Sequence, residues 1–208
     1  STNLCVKAYH LLKKAYDIPY VKIHLHKNIP IGAGLGGGSS DGAFMIKALN
    51  ELFQLQLSID MQMELASRLG SDCPFFILNR PCFVEGTGNI MKPFDISLKD
   101  FKVILVYPKL HIDTAWAYAQ IKPEKAVANW QNELFSNVNE WKGIKNDFEY
   151  KIFEREPVVA NIKQKLYDQG ADYASMSGSG STVFAVFDRE KDIDLSIFSE
   201  FQTCIHEE

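Results

Sequence analysis

Twelve residues constrain this chain more than any others: Pro30-Ile-Gly-Ala-Gly-Leu-Gly-Gly-Gly-Ser-Ser-Asp41. Five glycines fall within seven residues, Gly32 to Gly38, and a helical pattern follows at once. Glycine has no Cβ, so this backbone can take φ > 0 and turn its N–H groups toward one anion. The helix behind it points unsatisfied first-turn N–H groups, and the positive end of its dipole, at the same place. Ser39 and Ser40 can cap that helix, or offer hydroxyls to a phosphate or to a phosphate-bound Mg²⁺. The expectation is a phosphate cradle made by Pro30, Ile31, Gly32, Ala33, Gly34, Leu35, Gly36, Gly37, Gly38, Ser39 and Ser40. It is not a Walker A loop, because no lysine follows the last glycine, and the third glycine of a Gly-x-Gly-x-x-Gly fingerprint would fall at Ser39. The plain alternative is a flexible linker. A strand pattern before the stretch and a helix pattern after it argue against that.

At 208 residues the chain has room for one large domain or two small ones. A net charge of −4 gives no basic footprint for nucleic acid. No apolar run reaches the ~18 residues of a membrane helix, and no signal-peptide pattern is visible. Cys5, Cys73, Cys82 and Cys204 lack metal-ligand spacing and read as free thiols of a reducing cytoplasm. No metal-ligating residues are predicted.

In chain order, residues 3–16 read as an amphipathic helix capped by Thr2 or Asn3. Val21, Ile23 and Leu25 alternate with Lys22, His24 and His26, a half-buried strand pattern. The helix after the glycines is expected over 40–53, with Met45, Ala48, Leu49 and Leu52 as its apolar side. Another is expected over 59–69, capped by Ser58 and stopped at Gly70. Asp72 follows in Gly70-Ser-Asp-Cys-Pro-Phe-Phe76, where an aspartate is often only a turn former. Cys82 to Met91 reads as a hairpin turned by Gly86 and Gly88. The junction of two domains, 1–98 and 99–208, falls near Pro93 to Asp100. Val103 to Tyr107 reads as a strand covered on both faces, and residues 114–119 as a helix carrying Trp116 and Tyr118. Residues 122–145 are mixed helix and loop, with Trp130 and Trp141 as core. Helical runs open at Asn146-Asp-Phe-Glu149 and span 158–167. Gly178, Ser179 and Gly180 precede a strand over 182–187 and form a turn that can approach an anion. A terminal helix is expected over 192–201.

The glycine loop, Gly70–Phe76 and Ser177–Val183 together resemble the GHMP small-molecule kinases, named for galactokinase, homoserine kinase, mevalonate kinase and phosphomevalonate kinase. The resemblance implies an α+β chain of two domains: an ATP domain like domain 2 of ribosomal protein S5 and a ferredoxin-like C-terminal domain. It implies ATP and Mg²⁺ as cofactors, with Pro30–Ser40 and Gly178, Ser179 and Gly180 at the triphosphate and Asp72 as the general base. Gly-Leu-Gly-Gly-Gly-Ser-Ser, Phe-Val-Glu-Gly-Thr-Gly and Asn-Asp-Phe-Glu resemble the branch acting on a cytidine-diphosphate-linked polyol, 4-diphosphocytidyl-2-C-methyl-D-erythritol, at its 2-hydroxyl, in the non-mevalonate isoprenoid route. Tyr118, and less directly Trp116, match the position of an aromatic that stacks on cytosine; simple packing is the alternative for each. A homoserine- or mevalonate-type kinase and a non-catalytic nucleotide-binding module stand as competing readings. The implied protein is cytoplasmic, a monomer or homodimer, with no nucleic-acid or membrane partner. The family's initial Pro-x-Lys-x-Asn segment has no match here, so the chain is expected to be the remainder of a longer protein.

Overall fold

The computed structural model describes residues 2–88, 90–121 and 138–207. They pack as two compact units: residues 1–30 with 36–95, and residues 31–35 with 96–208. The chain therefore changes unit inside the glycine stretch.

The first unit holds α1 (Leu4–Ala15), α2 (Gly37–Leu52), α3 (Ile59–Ser67), α4 (Cys73–Leu78) and a hairpin of β1 (Cys82–Glu85) and β2 (Ile90–Pro93). Asn3 caps α1, its side chain accepting from the N–H groups of Cys5 and Val6. Ala8, Tyr9 and Leu12 of α1 meet Ala43, Ile46 and Leu49 of α2 in one core that also takes in Leu65, Cys73 and Ile77. Ser58 caps α3 as expected, accepting from Met61 N–H at 3.3 Å.

Three local expectations in this unit are corrected. Residues 21–25 pair with no strand among the described residues. Their alternation is obeyed only in part: Val21 and Ile23 pack on the helical core and His24 and His26 are exposed, but Leu25 is exposed as well. Alternation chooses the buried side, but a ladder also needs a partner. Helix α2 begins at Gly37 rather than at residue 40, with Gly36 as its N-cap at φ 63°. Ser39 and Ser40 thus lie inside the first turn and do not cap it, and Ser40 N–H already bonds to Gly36 O at 2.9 Å. The buried face of α2 carries Gly42, Ala43, Ile46 and Leu49, leaving Ala48 and Leu52 exposed.

The second unit is built on an antiparallel four-stranded sheet of order β4-β5-β3-β6, made by β3 (Phe101–Tyr107), β4 (Tyr173–Met176), β5 (Val183–Asp188) and β6 (Gln202–Glu207). The helices α5 (Thr114–Gln120), α6 (Glu149–Arg155) and α7 (Pro157–Asp168) complete it. Ile104 and Val106 of β3, Met176 of β4 and Phe187 of β5 share a core with Ile152 of α6 and Val159, Ile162 and Leu166 of α7. Val103 and Phe184 project to a smaller cluster with Tyr173, Val186 and Trp141. The continuous apolar run of β3 thus serves two clusters within an antiparallel sheet. Phe187 and Phe198 are fully buried, and truncating either to alanine would cost about 3–5 kcal/mol. Trp130 lies outside the described residues.

The expected terminal helix over 192–201 is replaced by one 3-10 turn, Leu195–Phe198, and then β6. A single turn already delivers Phe198 to the core. Three residues later β6 takes the free edge of β3, pairing Thr203 with Val106 and Ile205 with Ile104.

Candidate active site

In the second unit two glycine segments lie back to back. Gly32 and Gly34 sit at φ 74° and 80°, Gly178 and Gly180 at φ 53° and 86°. Between the two glycines of the first segment, Ala33 is buried, and its carbonyl accepts from Thr182 N–H at 3.1 Å. Gly34 O accepts from Ser177 Oγ at 2.8 Å, across 143 residues of sequence. A Cβ on Gly34 would run into the carbonyl oxygen of Ser177 and lie 2.6 Å from that of Gly180. Both the left-handed backbone and the close approach of two main chains therefore require glycine there. The turn itself is closed by Gly180 N–H to Ser177 O at 2.9 Å and Ser177 N–H to Thr182 O at 2.8 Å. Ser181 Oγ donates to Leu110 O at 2.6 Å, and the adjoining His111 ring fills the space beside Gly32 that a side chain would need.

Two residues that sequence reasoning did not assign hold this turn from beneath. Asn146 Nδ2 donates to Met176 O and to Gly178 O, each at 2.8 Å. Glu149, buried beside Lys163 with Nζ–Oε2 at 2.6 Å, accepts from Met176 N–H at 2.9 Å and from Ser175 Oγ at 3.2 Å. Both belong to the Asn-Asp-Phe-Glu segment, which was legible as a motif but not as a clamp. Tyr118 on α5 is 65% exposed, its ring set edge-on to Phe148 at 4.9 Å. Trp116 is half-buried, with the Arg155 guanidinium 4.4 Å from its ring centroid. Its face is therefore committed to packing, whereas most of Tyr118 remains open.

In the first unit, no side chain caps α2. Its N-cap Gly36 is left-handed, and a Cβ there would meet the Phe76 ring at 2.8 Å. Gly37 is buried under Ile29, while Gly38 is exposed and has nothing within 4 Å of where its Cβ would be. The uncapped first-turn amides of a 16-residue helix are a ready site for an anion. Lys27 Nζ pairs with Asp41 Oδ2 at 2.5 Å, both half-buried on this side of α2. Asp72 sits at the N-cap position of α4 without a cap hydrogen bond and is exposed, its Oδ1 3.4 Å from Ser71 Oγ. It does not act as the local turn former that such an aspartate usually is. Next to it, Cys73 is fully buried, and burial pushes its thiol up from the usual range.

The sequence matches the GHMP kinases N terminal domain over residues 3–80 and the GHMP kinases C terminal domain over 128–195. A 4-diphosphocytidyl-2-C-methyl-D-erythritol kinase of Bacteroides fragilis is 50% identical over 193 residues, covering 92% of this chain and 70% of that protein. The chain belongs to the GHMP kinases. A protein of the same name from Thermodesulfovibrio yellowstonii is 43% identical over 215 residues, covering 97% of this chain and 75% of its own. Among solved structures, a 4-(cytidine 5'-diphospho)-2C-methyl-D-erythritol kinase superposes with TM-score 0.79 at 29% identity, over 98% of this chain and 76% of that one. A homoserine kinase from Cytophaga hutchinsonii superposes with TM-score 0.68 at 16% identity, over 99% and 75%, a likeness of fold alone. This GHMP kinase is thus an α+β small-molecule kinase, and ATP is the phosphoryl donor its family implies. No helix among the described residues is long and apolar enough to cross a membrane.

Proposed function

We propose that this chain carries out transfer of the ATP γ-phosphoryl group to the 2-hydroxyl of 4-diphosphocytidyl-2-C-methyl-D-erythritol. The carrying observation is Gly38. It is helical and exposed, and a Cβ there would meet nothing within 4 Å, so none of the described residues asks for glycine there. A glycine that the chain does not need is explained by something outside the chain that comes close to the backbone. At an uncapped helix N-terminus, that something is an anion such as the ATP phosphates. The relatives of known name supply the acceptor.

Phosphoryl transfer of this kind is mostly positioning plus charge stabilisation. Pro30 to Ser40 would hold the triphosphate through main-chain amides, and Gly178, Ser179 and Gly180 would approach it with theirs. Among the described residues no three His, Cys, Asp or Glu side chains form a metal cluster. Mg²⁺ is commonly held by one or two protein groups plus substrate phosphates. The Ser39 and Ser40 hydroxyls are the groups that would meet it, and when bound it would neutralise phosphate charge. Asp72, exposed and without a cap bond, would orient the acceptor hydroxyl and take its proton. Tyr118, with most of its ring open, would stack on the cytosine, a contact worth ~1–3 kcal/mol. The setting is a cytoplasmic enzyme, monomer or homodimer, acting on a small molecule.

The test is ADP release from ATP, Mg²⁺ and the cytidine polyol. Asp72→Asn is expected to leave ATP affinity nearly unchanged and to lower kcat about 10²–10⁴-fold. Unchanged turnover removes Asp72 from the mechanism, and no turnover by the full-length protein with this acceptor removes the substrate.

A further inference from the structure

The Asn146–Glu149 segment is used by none of the roles above, yet it touches two of the proposed subsites within the second unit. Asn146 makes three side-chain hydrogen bonds there. Its two Nδ2 protons go to Met176 O and Gly178 O, at 2.8 Å each, and its Oδ1 accepts from Phe148 N–H at 3.0 Å. An asparagine side chain offers two donors on one nitrogen, which suits bridging two carbonyls that lie two residues apart. Aspartate at this position would have no donor at neutral pH, and alanine no polar atom at all. Three residues on, Glu149 takes the N–H of Met176. Met176 is thereby gripped by both its N–H and its C=O. Between the two grips, Phe148 lays its ring against Tyr118.

We propose that Asn146 is a positioning residue for ATP, holding the Ser177–Ser181 turn in its phosphate-binding shape. The inference rests on the reading of that turn as a phosphate contact. Its physical basis is the direction of the carbonyls. Gly178 and Gly180 both have positive φ and no Cβ, so the free turn has more accessible conformations than a segment without glycine. Some of those conformations would present carbonyl oxygens to the anion. Tying Met176 O and Gly178 O to one carboxamide points those two oxygens away from it. It also fixes the segment whose Ser177 Oγ bonds to Gly34 O, so the order imposed on one glycine segment is passed to the other. The same stretch supports Tyr118 only by packing, through Phe148. Losing the two Nδ2 donors while keeping Oδ1, as Asn146→Asp does, therefore acts on ATP and spares the cytidine side.

The test compares Asn146→Ala and Asn146→Asp with the parent chain. It combines calorimetric titration with ATP and Mg²⁺, steady-state kinetics with both substrates, and thermal melting. The expected result is roughly tenfold weaker ATP binding for each variant, matching two lost hydrogen bonds. The ATP KM should rise alongside, while kcat at saturating ATP changes less than about threefold and, in Asn146→Asp, the KM for the cytidine polyol does not move. Asn146→Asp keeps the size of the side chain and an acceptor for Phe148 N–H, so it isolates the two donors. Hydrogen exchange in either variant should rise at residues 177–181. If both variants bind ATP as tightly as the parent below their melting temperatures, the inference is overturned, and a fall in melting temperature alone counts against it in the same way. Failure of the full-length protein to phosphorylate the cytidine polyol would sink the substrate assignment, while the calorimetric comparison would still decide the role of Asn146.

Discussion

Gly34 and Gly38 lie four residues apart in one glycine stretch and are glycines for opposite reasons. Gly34 is wedged against the Ser177 and Gly180 carbonyls with φ 80°, so the fold itself forbids a side chain. Gly38 is an ordinary helical residue with open space around it. Between them Gly36 supplies a left-handed N-cap, and Gly37 clears Ile29. A run of one residue type therefore contains three separate requirements, close main-chain approach, backbone handedness and helix packing, and one position that the described residues leave open. A glycine-rich motif is not one signal, and only the neighbours of each Cα say which requirement applies.

Substitution can break or sharpen this contrast. Gly34→Ala should have the largest effect. Strained backbone and overpacking together should destabilise the second unit by about 2–4 kcal/mol, read by denaturant melting, with ATP binding lost in parallel. A wild-type melt would show that the two main chains do not meet in solution.

Gly37→Ala should cost less, about 1 kcal/mol, because the obstacle is the Ile29 side chain at 2.9 Å, which can shift. Cysteine labelling can localise that cost. Cys5, whose Sγ lies 3.5 Å from Asp41 O, and Cys73 are both buried beside the start of α2, and burial raises both thiols. A raised thiol pKa leaves little thiolate at neutral pH. At pH 7.5 iodoacetamide should therefore label the exposed Cys204 and spare Cys5 and Cys73. Gly37→Ala should increase labelling of Cys5 and Cys73, and Gly34→Ala should not. Equal labelling in the two variants would dissolve the distinction between the halves of the loop.

Gly38→Ala should have the smallest effect on the fold, and in the opposite direction. Replacing a helical glycine that has free space stabilises by about 0.4–1 kcal/mol. If the open side of Gly38 faces ATP, the same variant should bind the nucleotide several-fold more weakly while melting at a higher temperature. Higher stability with unchanged affinity would leave Gly38 without a ligand role and remove the observation that carries the proposed function.

Much of the layout could be read along the chain because it follows from local chemistry. Asn3 and Ser58 cap helices as their side chains allow, Gly86 and Gly88 turn the β1–β2 hairpin, and Val103–Tyr107 forms a strand. The glycine loop and the Gly178–Gly180 turn could be picked out as candidates because glycine clusters stand out, whereas Asp72, of a type common in turns, was singled out by the family resemblance. Periodicity was less reliable wherever a long-range partner decides the outcome. Residues 21–25 alternate as a strand does, but they pair with none of the described strands. Residues 202–207 pair with β3 although their neighbours suggested a helix.

What the sequence determined alone was therefore the inventory: a phosphate-type loop opening a helix, a second glycine turn before a strand, and the family they resemble. The tertiary structure decided how that inventory is used. It placed Ser177 and Thr182 on the carbonyls of Gly34 and Ala33, and Asn146 on those of Met176 and Gly178. These bonds join residues far apart in sequence through main-chain groups that every residue carries. Residue type cannot reveal which carbonyl a side chain will reach. Only the packing of strands and helices that brings them within 3 Å can do that.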